Sequence, residues 1–375
     1  MRIALVSSWY RDVSGGSGTA VFYQAFVGGL KQRGYDIDVI SPKFTSEGYV
    51  EVTLERFLFN TELRTDPRIQ AADVVIGFDY DGYGLDPVHN PPLICSAHAV
   101  FADVLNWETD PVRTMVQAQA YFDQVAMEKS RIVTIGSQYA KDRIVALYGI
   151  APEKVQVIHH GMLDAPWMKY IDAEPRVPND HPVILSVGKM YPRKRTNILL
   201  RAIALLRDKY PTVELRVAGD GLEEDRLRQL SSDLHLDGNV TWLGYVGDDR
   251  QMAREWRQAD IFAHSSSQET FGYVYLEAMR LGKPIVAARA GAAPEVLGDA
   301  GLLAEAENPE AMANALDTML GSPSLQAAYS AKAVKRAQLY PHSKMVDGYV
   351  EVIERVVRQA PRRNYQWQPV ESAAD

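Results

Sequence analysis

Residues 266–279 have the sequence Ser266-Ser267-Gln268-Glu269-Thr270-Phe271-Gly272-Tyr273-Val274-Tyr275-Leu276-Glu277-Ala278-Met279. The apolar run just before them, residues 261–264, predicts a buried strand. The apolar residues after Gly272 have helical spacing, and a glycine and a proline end the pattern: Leu276, Ala278, Met279, Leu281, Gly282 and Pro284. The stretch is therefore predicted to connect a strand to a helix, with Glu269 in the loop, Gly272 at the helix N-terminus and Glu277 slightly more than a turn inside the helix.

A helix N-terminus suits a phosphate, because it presents unpaired backbone N–H groups and a partial positive charge. Gly272 lacks the side chain that would block a close approach. Glu269 and Glu277 would flank this N-terminus and could hold sugar hydroxyls on either side of a diphosphate. The spacing equally fits a solvated helix residue at position 277 and, at position 269, a carboxylate favoured by the helix dipole. The spacing alone leaves both interpretations open.

This segment and the residues after it resemble the donor-binding segment of the family 4 retaining glycosyltransferases of the GT-B fold. The resemblance rests on Glu-x7-Glu from Glu269 to Glu277, on Phe271-Gly272, on Leu276-Glu277-Ala278-Met279, on Gly-Lys-Pro-Ile-Val-Ala at 282–287 and on Pro-Glu-Val at 294–296. It covers about residues 1–360 and is strongest at 183–303. It implies an α/β protein of two Rossmann-like domains with parallel sheets facing across a cleft. It also implies transfer of a sugar from a nucleoside diphosphate sugar, of the UDP or GDP type, to a hydroxyl acceptor with retention of anomeric configuration.

Composition narrows the class of protein. A chain of 375 residues is long enough for two domains with separate cores. The net charge of −8 argues against nucleic acid as the main partner. The single cysteine, Cys95, permits no intrachain disulfide and lies in an apolar run, so a buried thiol and a cytoplasmic location are expected. No apolar run approaches the ~18 residues of a membrane span. We therefore expect no transmembrane segment, and contact with a membrane surface stays open.

Strands and helices alternate along the chain, which predicts parallel sheets covered by helices. The predicted strands are Arg2–Val6, Ile37–Ile40, Ala72–Ile76, Leu93–Ala97, Ile132–Ile135, Val155–Ile158, Val183–Val187, Val213–Val217, Val240–Leu243 and Ile261–His264. The predicted helices are Thr19–Arg33, one capped by Asp110 before Pro111, Gln138–Tyr148, Thr196–Lys209, Glu223–Leu234, Arg250–Gln258, two opened by Asn308-Pro309 and Ser322-Pro323, and Ser343–Arg358.

A polar, proline-bearing segment at 171–182 predicts the domain boundary. The first domain, residues 1–172, is expected to bind the acceptor, and the second, residues 173–342, the donor. By resemblance, the helix at about 343–360 packs back on the first domain. Residues 361–375 form a polar tail. In open parallel sheets, ligands bind beyond the carboxyl ends of the strands, so the loops there are the candidate site.

The loop after the strand at 183–187 carries four cations: Lys189, Arg193, Lys194 and Arg195. A charge run is usually a solvated turn, but this position favours an anion clamp. By resemblance, Lys194 stands where the family has its lysine, Lys189 where it has an arginine and Arg195 where it has a glycine. Lys189 keeps the charge but lacks the bidentate fork. We therefore expect Lys194 to act first and either Lys189 or Arg193 to supply the second cation.

Other donor-binding residues follow from the same resemblance. Gly16, in the glycine-rich turn at 14–19, would lie near the diphosphate and the acceptor, although a plain tight turn is the alternative. Gly219 would form a tight turn near the nucleotide, and the backbone at Val246 would recognise the base. Phe271 and Tyr273 belong to the donor segment itself.

Several remaining residues admit two interpretations. His98 follows a buried strand, where a lone histidine is more often structural, yet by resemblance it contacts the transferred sugar. Acidic residues in another loop after a strand either face the acceptor or are surface turn carboxylates: Asp79, Asp81 and Asp86. His159-His160-Gly161 has no acidic or cysteine partner nearby and is interpreted as a structural turn.

The catalytic set is therefore predicted to be His98, Lys194 and Glu269. The chain lacks an Asp-x-Asp motif in a suggestive place, and cations with a helix N-terminus can neutralise a diphosphate. We expect chemistry that needs no metal and no cofactor. Two alternatives remain: a nucleotide-sugar epimerase of the same fold, which would need a dedicated base beside C2 of the sugar, and a non-catalytic sugar-nucleotide binder.

Overall fold

The computed structural model describes residues 1–8, 18–43, 46, 48–177 and 179–360. The predicted Gly16 turn and the tail at 361–375 lie outside these residues. Within them, two parallel sheets follow one another along the chain, each with six strands. The central strands of both sheets are buried short runs rich in β-branched and aliphatic residues, as expected for sheets covered on both faces. No helix in the described ranges combines the length and apolarity needed to cross a bilayer.

The first sheet has the strand order β2-β1-β3-β4-β5-β6. Its strands are β1 Arg2–Val6, β2 Asp36–Ile40, β3 Val74–Phe78, β4 Leu93–Ser96, β5 Ile132–Ile135 and β6 Val155–Val157. The helices between them are α1 Gly18–Gln32, α2 Tyr49–Glu62, α3 Pro67–Gln70, α4 Phe101–Val104, α5 Val112–Lys129 and α6 Gln138–Tyr148, and short 3₁₀ turns occupy Leu63–Thr65 and Pro152–Lys154.

The second sheet has the order β12-β11-β10-β7-β8-β9. Its strands are β7 Val183–Val187, β8 Glu214–Ala218, β9 Val240–Gly244, β10 Ile261–His264, β11 Ile285–Ala288 and β12 Gly301–Ala304. Its helices are α7 Thr196–Leu206, α8 Glu224–Asp233, α9 Asp249–Gln258, α10 Tyr273–Arg280, α11 Ala293–Leu297, α12 Pro309–Leu320 and α13 Pro323–Ala337, with 3₁₀ turns at Pro166–Tyr170 and Pro192–Lys194.

The last helix, α14 His342–Gln359, packs against the first sheet's layer rather than the second. Its buried residues recur at helical spacing: Met345, Val346, Tyr349, Val352, Ile353 and Val356. The contact with α1 is close because Gly29 faces Val346, whose Cγ2 atom would lie 2.5 Å from a Cβ at that position. The Tyr349 hydroxyl lies 2.7 Å from the Ser96 hydroxyl, which ties α14 to the end of β4.

Most predicted elements are confirmed to within two residues, including the helices capped by Asn308 and Ser322, whose side chains accept hydrogen bonds from backbone N–H groups. The Asp110 cap is wrong: α5 begins after Pro111 without a side-chain cap, and Asp110 instead accepts a 2.7 Å hydrogen bond from the Thr114 hydroxyl. The helix α2, the short helices α3, α4 and α11, and the strands β11 and β12 do not follow from the sequence patterns. β11 ends in two alanines and β12 is Gly-Leu-Leu-Ala, so both are poor in the residue types that are enriched in strands.

Candidate active site

A cavity of about 470 Å³ lies between the two halves of the molecule. The carboxyl-end loops of both sheets line it, as the rule for open parallel sheets requires. Every residue of the predicted catalytic and donor-binding sets that the structure describes lines this cavity: His98, Lys189, Arg193, Lys194, Gly219, Val246, Glu269, Phe271, Gly272, Tyr273 and Glu277. The structure therefore brings together residues that are up to 179 positions apart in the sequence (98 to 277).

Glu269 is the centre of a buried charge cluster. Its carboxylate accepts a hydrogen bond from the Lys194 ammonium and lies 2.8 Å from Nε2 of His264, at the end of β10. Burial alone raises the pKa of Glu269, but the Lys194 charge and the His264 hydrogen bond outweigh it and hold that pKa well below its usual range. Burial lowers the pKa of Lys194, and the charge of Glu269 opposes this shift. The pair thus keeps Glu269 ionised within the cavity wall.

The backbone also fixes Glu269 from behind. Its carbonyl accepts a 2.9 Å hydrogen bond from the N–H of Ala292, and a Cβ at Gly291 would lie 2.6 Å from its backbone nitrogen. Gly291 has φ +56°, a left-handed conformation that favours glycine. The turn after β11 therefore comes close enough to hold the Glu269 main chain in place.

Gly272 caps the helix α10 in the left-handed region, with φ +87°. A Cβ there would lie 2.6 Å from the buried Tyr275 ring, so the position requires glycine. Gly272 provides no side-chain cap for the first N–H groups of α10, and Gly272 and Tyr273 line the cavity. Glu277 lines it from within the same helix, and burial raises the pKa of its carboxyl to about 7.

The basic loop, residues 189–195, brings its cations to the same cavity in different states. Lys189 is half exposed and pairs with Asp220, whereas Lys194 pairs with Glu269 in the interior. Arg193 is half buried and lines the cavity between them. Arg195 instead has φ +52° and turns away, forming an ion pair with Glu307 at 2.8 Å.

Two glycines let the loops after β7 and β8 approach each other closely. The N–H of Gly188 donates to the carbonyl of Ala218 at 2.9 Å, and the N–H of Gly219 donates to that of Gly244 at 2.7 Å. A Cβ on Gly219, with φ +140°, would lie 2.1 Å from the carbonyl oxygen of Gly188. This contact shapes the floor of the cavity next to Val246, at the predicted nucleotide end.

The wall formed by the first half of the chain has a different character. The ring of His98 stacks on that of His160 at 5.4 Å and meets the edge of Phe22 at 4.3 Å. Burial, with repulsion from His160, lowers the pKa of His98 well below its usual range. Burial also lowers the pKa of His160 to about 3. Both imidazoles are therefore neutral at physiological pH.

His160 does more than form the structural turn that the sequence predicts, because its ring lines the cavity. It stacks on the Tyr273 ring at 5.3 Å. The sequence carries no signal for this role, because nothing in it distinguishes His160 from the neighbouring His159. In the structure, His159 contacts Glu295 at 2.9 Å instead. Sequence reasoning also misses His264, whose only signal is its position at the end of a buried strand.

None of the three acidic residues after β3 lines the cavity: two are buried, and Asp86 is a surface carboxylate, as the second interpretation predicts. Asp79 and Asp81 are buried and line no part of the cavity. Asp79 accepts hydrogen bonds from the N–H groups of His98 and Ala99 at 2.7 and 3.0 Å, so it fixes the backbone that carries His98. Burial raises the pKa of Asp79 to about 7 and that of Asp81 to about 6. Asp86 is exposed and contacts His89.

Direct contacts join the two halves next to the cavity. The Thr270 hydroxyl donates to the carbonyl of His98 at 2.7 Å, and the Ser137 hydroxyl donates to the carbonyl of Thr270 at 2.5 Å. Glu295 accepts hydrogen bonds from the first two N–H groups of α6, those of Gln138 and Tyr139, at 2.9 and 3.1 Å. The loop that carries Glu269 is therefore tied to the loop that carries His98.

Comparisons with known proteins agree with this architecture, which is that of the GT-B glycosyltransferases. Residues 16–162 match the family described as Glycosyltransferase Family 4, and residues 169–336 match Glycosyl transferases group 1. The chain thus carries a family 4 glycosyltransferase domain followed by a group 1 glycosyl transferase domain.

Individual proteins show the same likeness. A D-inositol 3-phosphate glycosyltransferase of Saccharomonospora viridis is 30% identical over 280 residues, which are 70% of this chain and 64% of that protein. The chain thus spans just under two thirds of that relative. A sucrose-phosphate synthase of Thermosynechococcus elongatus has a TM-score of 0.79 at 18% identity, over 96% of this chain and 100% of that one. HepE of Anabaena, in complex with UDP and glucose, has a TM-score of 0.67 at 20% identity, over 95% and 100%.

Proposed function

We propose that this protein transfers a glycosyl group from a nucleoside diphosphate sugar to a hydroxyl acceptor and retains the anomeric configuration. One observation carries the proposal. Lys194, Glu269, the N-terminus of α10 at Gly272 and Glu277 all line one cavity at the carboxyl edge of the second sheet. A diphosphate needs cations and N–H donors, and a sugar needs carboxylates for its hydroxyls. This wall supplies both.

Negative charge develops on the departing diphosphate as the glycosidic bond breaks. Lys194 and the N–H groups after Gly272 would stabilise it, because their positions are fixed before the reaction begins. A single preorganised donor of this kind contributes ~2.7–4 kcal/mol to the transition state. The leaving phosphate would then accept the proton of the acceptor hydroxyl on the same face of the sugar.

Positive charge develops on the sugar ring at the same time. Glu269, held ionised by Lys194 and His264, would bind sugar hydroxyls and favour this charge. His98 would contact the transferred sugar as a neutral hydrogen-bonding group, and so would add no opposing positive charge. Glu277 would bind the ribose hydroxyls. Glu269 is engaged by two partners, which disfavours a role as covalent nucleophile and favours same-face attack.

The donor is proposed to be of the UDP or GDP type, without a required metal or cofactor. The structural similarity to HepE in complex with UDP and glucose makes a UDP-sugar the first to test. The relatives named D-inositol 3-phosphate glycosyltransferase make a phosphorylated polyol the first acceptor to test, although the chain spans just under two thirds of the relative compared above.

The test begins with thermal shift of the protein against a panel of nucleotide sugars, followed by donor hydrolysis with and without acceptors. NMR of the product's anomeric proton should show the configuration of the donor. The same donor incubated without acceptor should give slow hydrolysis and no epimer at C2. Epimerised sugar would instead support the epimerase, and binding without hydrolysis or transfer would support a non-catalytic binder. Turnover that EDTA abolishes and Mg²⁺ restores would contradict the metal-free clamp.

A further inference from the structure

The basic loop contains two candidates for the second cation beside Lys194, and the structure separates them. Lys189 has a partner already: its ammonium forms an ion pair with Asp220, and both side chains are nearly half exposed, at 48% and 42%. It also lies 5.5 Å from the centre of the Tyr245 ring. A phosphate would have to compete with Asp220 and with water for this charge, so little would be gained.

Arg193 is in the opposite situation. Its Nη1 atom is buried and has no hydrogen-bond partner in the described structure, although the side chain lines the cavity. A buried donor without a partner destabilises a protein, and more so if it is charged. The cost disappears when an anion occupies the cavity beside it. Nη1 of Arg193 is thus a buried donor to which no described residue of the chain supplies an acceptor.

The main chain of Arg193 is held by hydrogen bonds, and its side chain contacts an aromatic ring. Its carbonyl accepts hydrogen bonds from the N–H of Ser267 at 2.9 Å and from the Ser266 hydroxyl at 3.3 Å. Its guanidinium lies 5.2 Å from the centre of the Tyr191 ring. These contacts join the basic loop to the loop that leads to Glu269. Arg193 therefore lies towards the sugar end of the cavity.

Two carboxylates, Glu108 and Glu269, lie close enough for the Arg193 charge to affect their pKa values, and neither takes the place of a ligand. Glu108, in the first half of the chain, is buried, which raises its pKa, and the Arg193 charge opposes that shift. Within the described part of the chain, the Nη1 atom of Arg193 nevertheless has no bond to this carboxylate. Glu108 thus leaves the Nη1 donor without a partner.

From these contacts we infer that Arg193, and not Lys189, is the second cation of the clamp, and that it binds the phosphate attached to the sugar. This inference rests on the proposed function, since it assumes a diphosphate in the cavity. A guanidinium can hold two oxygens of one phosphate at once, which an ammonium cannot. Lys189, next to Gly219 and Val246 at the nucleotide end, keeps Asp220 as its partner.

The experiment compares nucleoside diphosphate with nucleoside monophosphate, because only the first has the phosphate that Arg193 is inferred to bind. Affinities of UDP and UMP, or of GDP and GMP, are measured by calorimetry for the wild type and for Arg193→Met, Arg193→Lys and Lys189→Met. We expect Arg193→Met to weaken the diphosphate about tenfold or more while the monophosphate changes by less than about twofold. Lys189→Met should change both by less than about threefold.

Arg193→Lys should regain part of the lost affinity, because it restores charge without the fork. It also serves as the folded variant if the methionine substitution reduces stability, and melting curves establish this. A selective loss of diphosphate affinity in Lys189→Met, with Arg193→Met unchanged, overturns the inference and leaves the proposed function intact. A wild type that binds no nucleotide and transfers no sugar overturns the proposed function itself.

Discussion

The two walls of the cavity differ in charge. The wall from the second half of the chain is charged, with Lys194, Arg193, Glu269 and Glu277 set around the N-terminus of α10. The wall from the first half, where the structure describes it, presents neutral imidazoles and apolar or amide groups, among them His98. The charged wall would bind and activate the donor. The neutral wall would accommodate an acceptor, and it has no charged group that would compete with the charged wall for the diphosphate.

Two ion pairs of the basic loop differ in the same way in their exposure to water. Lys194 and Glu269 are buried together, with side chains 15% and 11% exposed, so neither charge can be lost cheaply. The ion pair of Lys189 and Asp220, in the same loop, is open to water and contributes little. Variants that remove one charge at a time can therefore show which charges of the wall from the second half stabilise the fold and which contribute to activity.

The largest effect is expected from breaking the buried pair. Lys194→Met or Glu269→Leu alone should lower the free energy of unfolding by about 3–5 kcal/mol, because each leaves an uncompensated buried charge. Combining the two should recover a substantial part of that loss. Urea unfolding followed by circular dichroism measures these values, and Asp220→Ala, which breaks the exposed pair, should change them by only ~0–1 kcal/mol. Single variants as stable as the wild type would show that the pair is not the rigid centre of the wall.

The next effect concerns catalysis and separates the two walls directly. Lys194→Ala should lower kcat/KM at least ~100-fold if the ammonium is a preorganised donor to the leaving phosphate. His98→Asn, on the neutral wall, should lower it by about tenfold, the value of one uncharged hydrogen bond. Steady-state kinetics at a temperature where each variant is folded measures both.

The control for this pair of variants is Lys209→Ala, which removes an exposed lysine away from the cavity. The ion-pair partner of Lys209 is Asp317, on the helix α12, and neither residue lines the cavity. The control should leave kcat/KM within about twofold. A loss below about threefold in Lys194→Ala is far outside the range for such a donor and would remove Lys194 from the clamp.

A smaller effect tests the helix N-terminus. Gly272→Ala should lower the free energy of unfolding by roughly 1–3 kcal/mol, because φ is +87° and the new Cβ would lie 2.6 Å from the buried Tyr275 ring. Gly34→Ala, in the first half of the chain, is the matched control: its φ is +82°, but a Cβ there has no neighbour within 4 Å. It should cost only about 1 kcal/mol. Equal losses in thermal unfolding would show that the clash with Tyr275 is relieved by movement.

Much of this architecture could be predicted because its signals are local. Buried parallel strands are short apolar runs, and the loops after them carry the glycines and cations of the site. Helix caps such as Asn308 are equally local, since each bonds a backbone N–H three residues on. Asp110 shows the limit: it has the sequence pattern of a cap, but its carboxylate bonds Thr114.

The remaining features of the site depend on contacts between residues that are far apart in the sequence. The spacing of residues along the chain does not encode such contacts. The ring of His160 reaches the cavity wall because it stacks between His98 and Tyr273, residues from both halves of the chain. Asp79 became a backbone anchor because β3 and β4 are neighbours in the sheet. The different states of Lys189 and Lys194 likewise depend on partners 31 and 75 residues away.

The smallest effect is a pH dependence at Glu277. Burial raises the pKa of this carboxyl from 4.5 to about 7, so between these two pH values the folded protein holds a proton there that the unfolded chain loses. The carboxyl's contribution to stability is therefore fully present below about pH 4.5 and declines as the pH rises through about 7. Ribose hydroxyls donate hydrogen bonds to the ionised carboxylate, so Glu277 must lose its proton when they bind. The affinity for the ligand is therefore expected to rise with pH, whereas the contribution to stability falls.

We therefore expect a nucleotide sugar to bind roughly tenfold more weakly at about pH 6 than at about pH 8, since each pH unit below a pKa costs a factor of ten. A nucleotide sugar is the right probe because its phosphates do not titrate in this range, unlike the terminal phosphate of a free nucleotide. Glu277→Gln should bind with an affinity that does not vary over the same range. If that variant keeps the wild-type slope, the titrating group lies elsewhere in the cavity, and the charged wall would then owe its pH dependence to a residue other than the carboxyl inside α10.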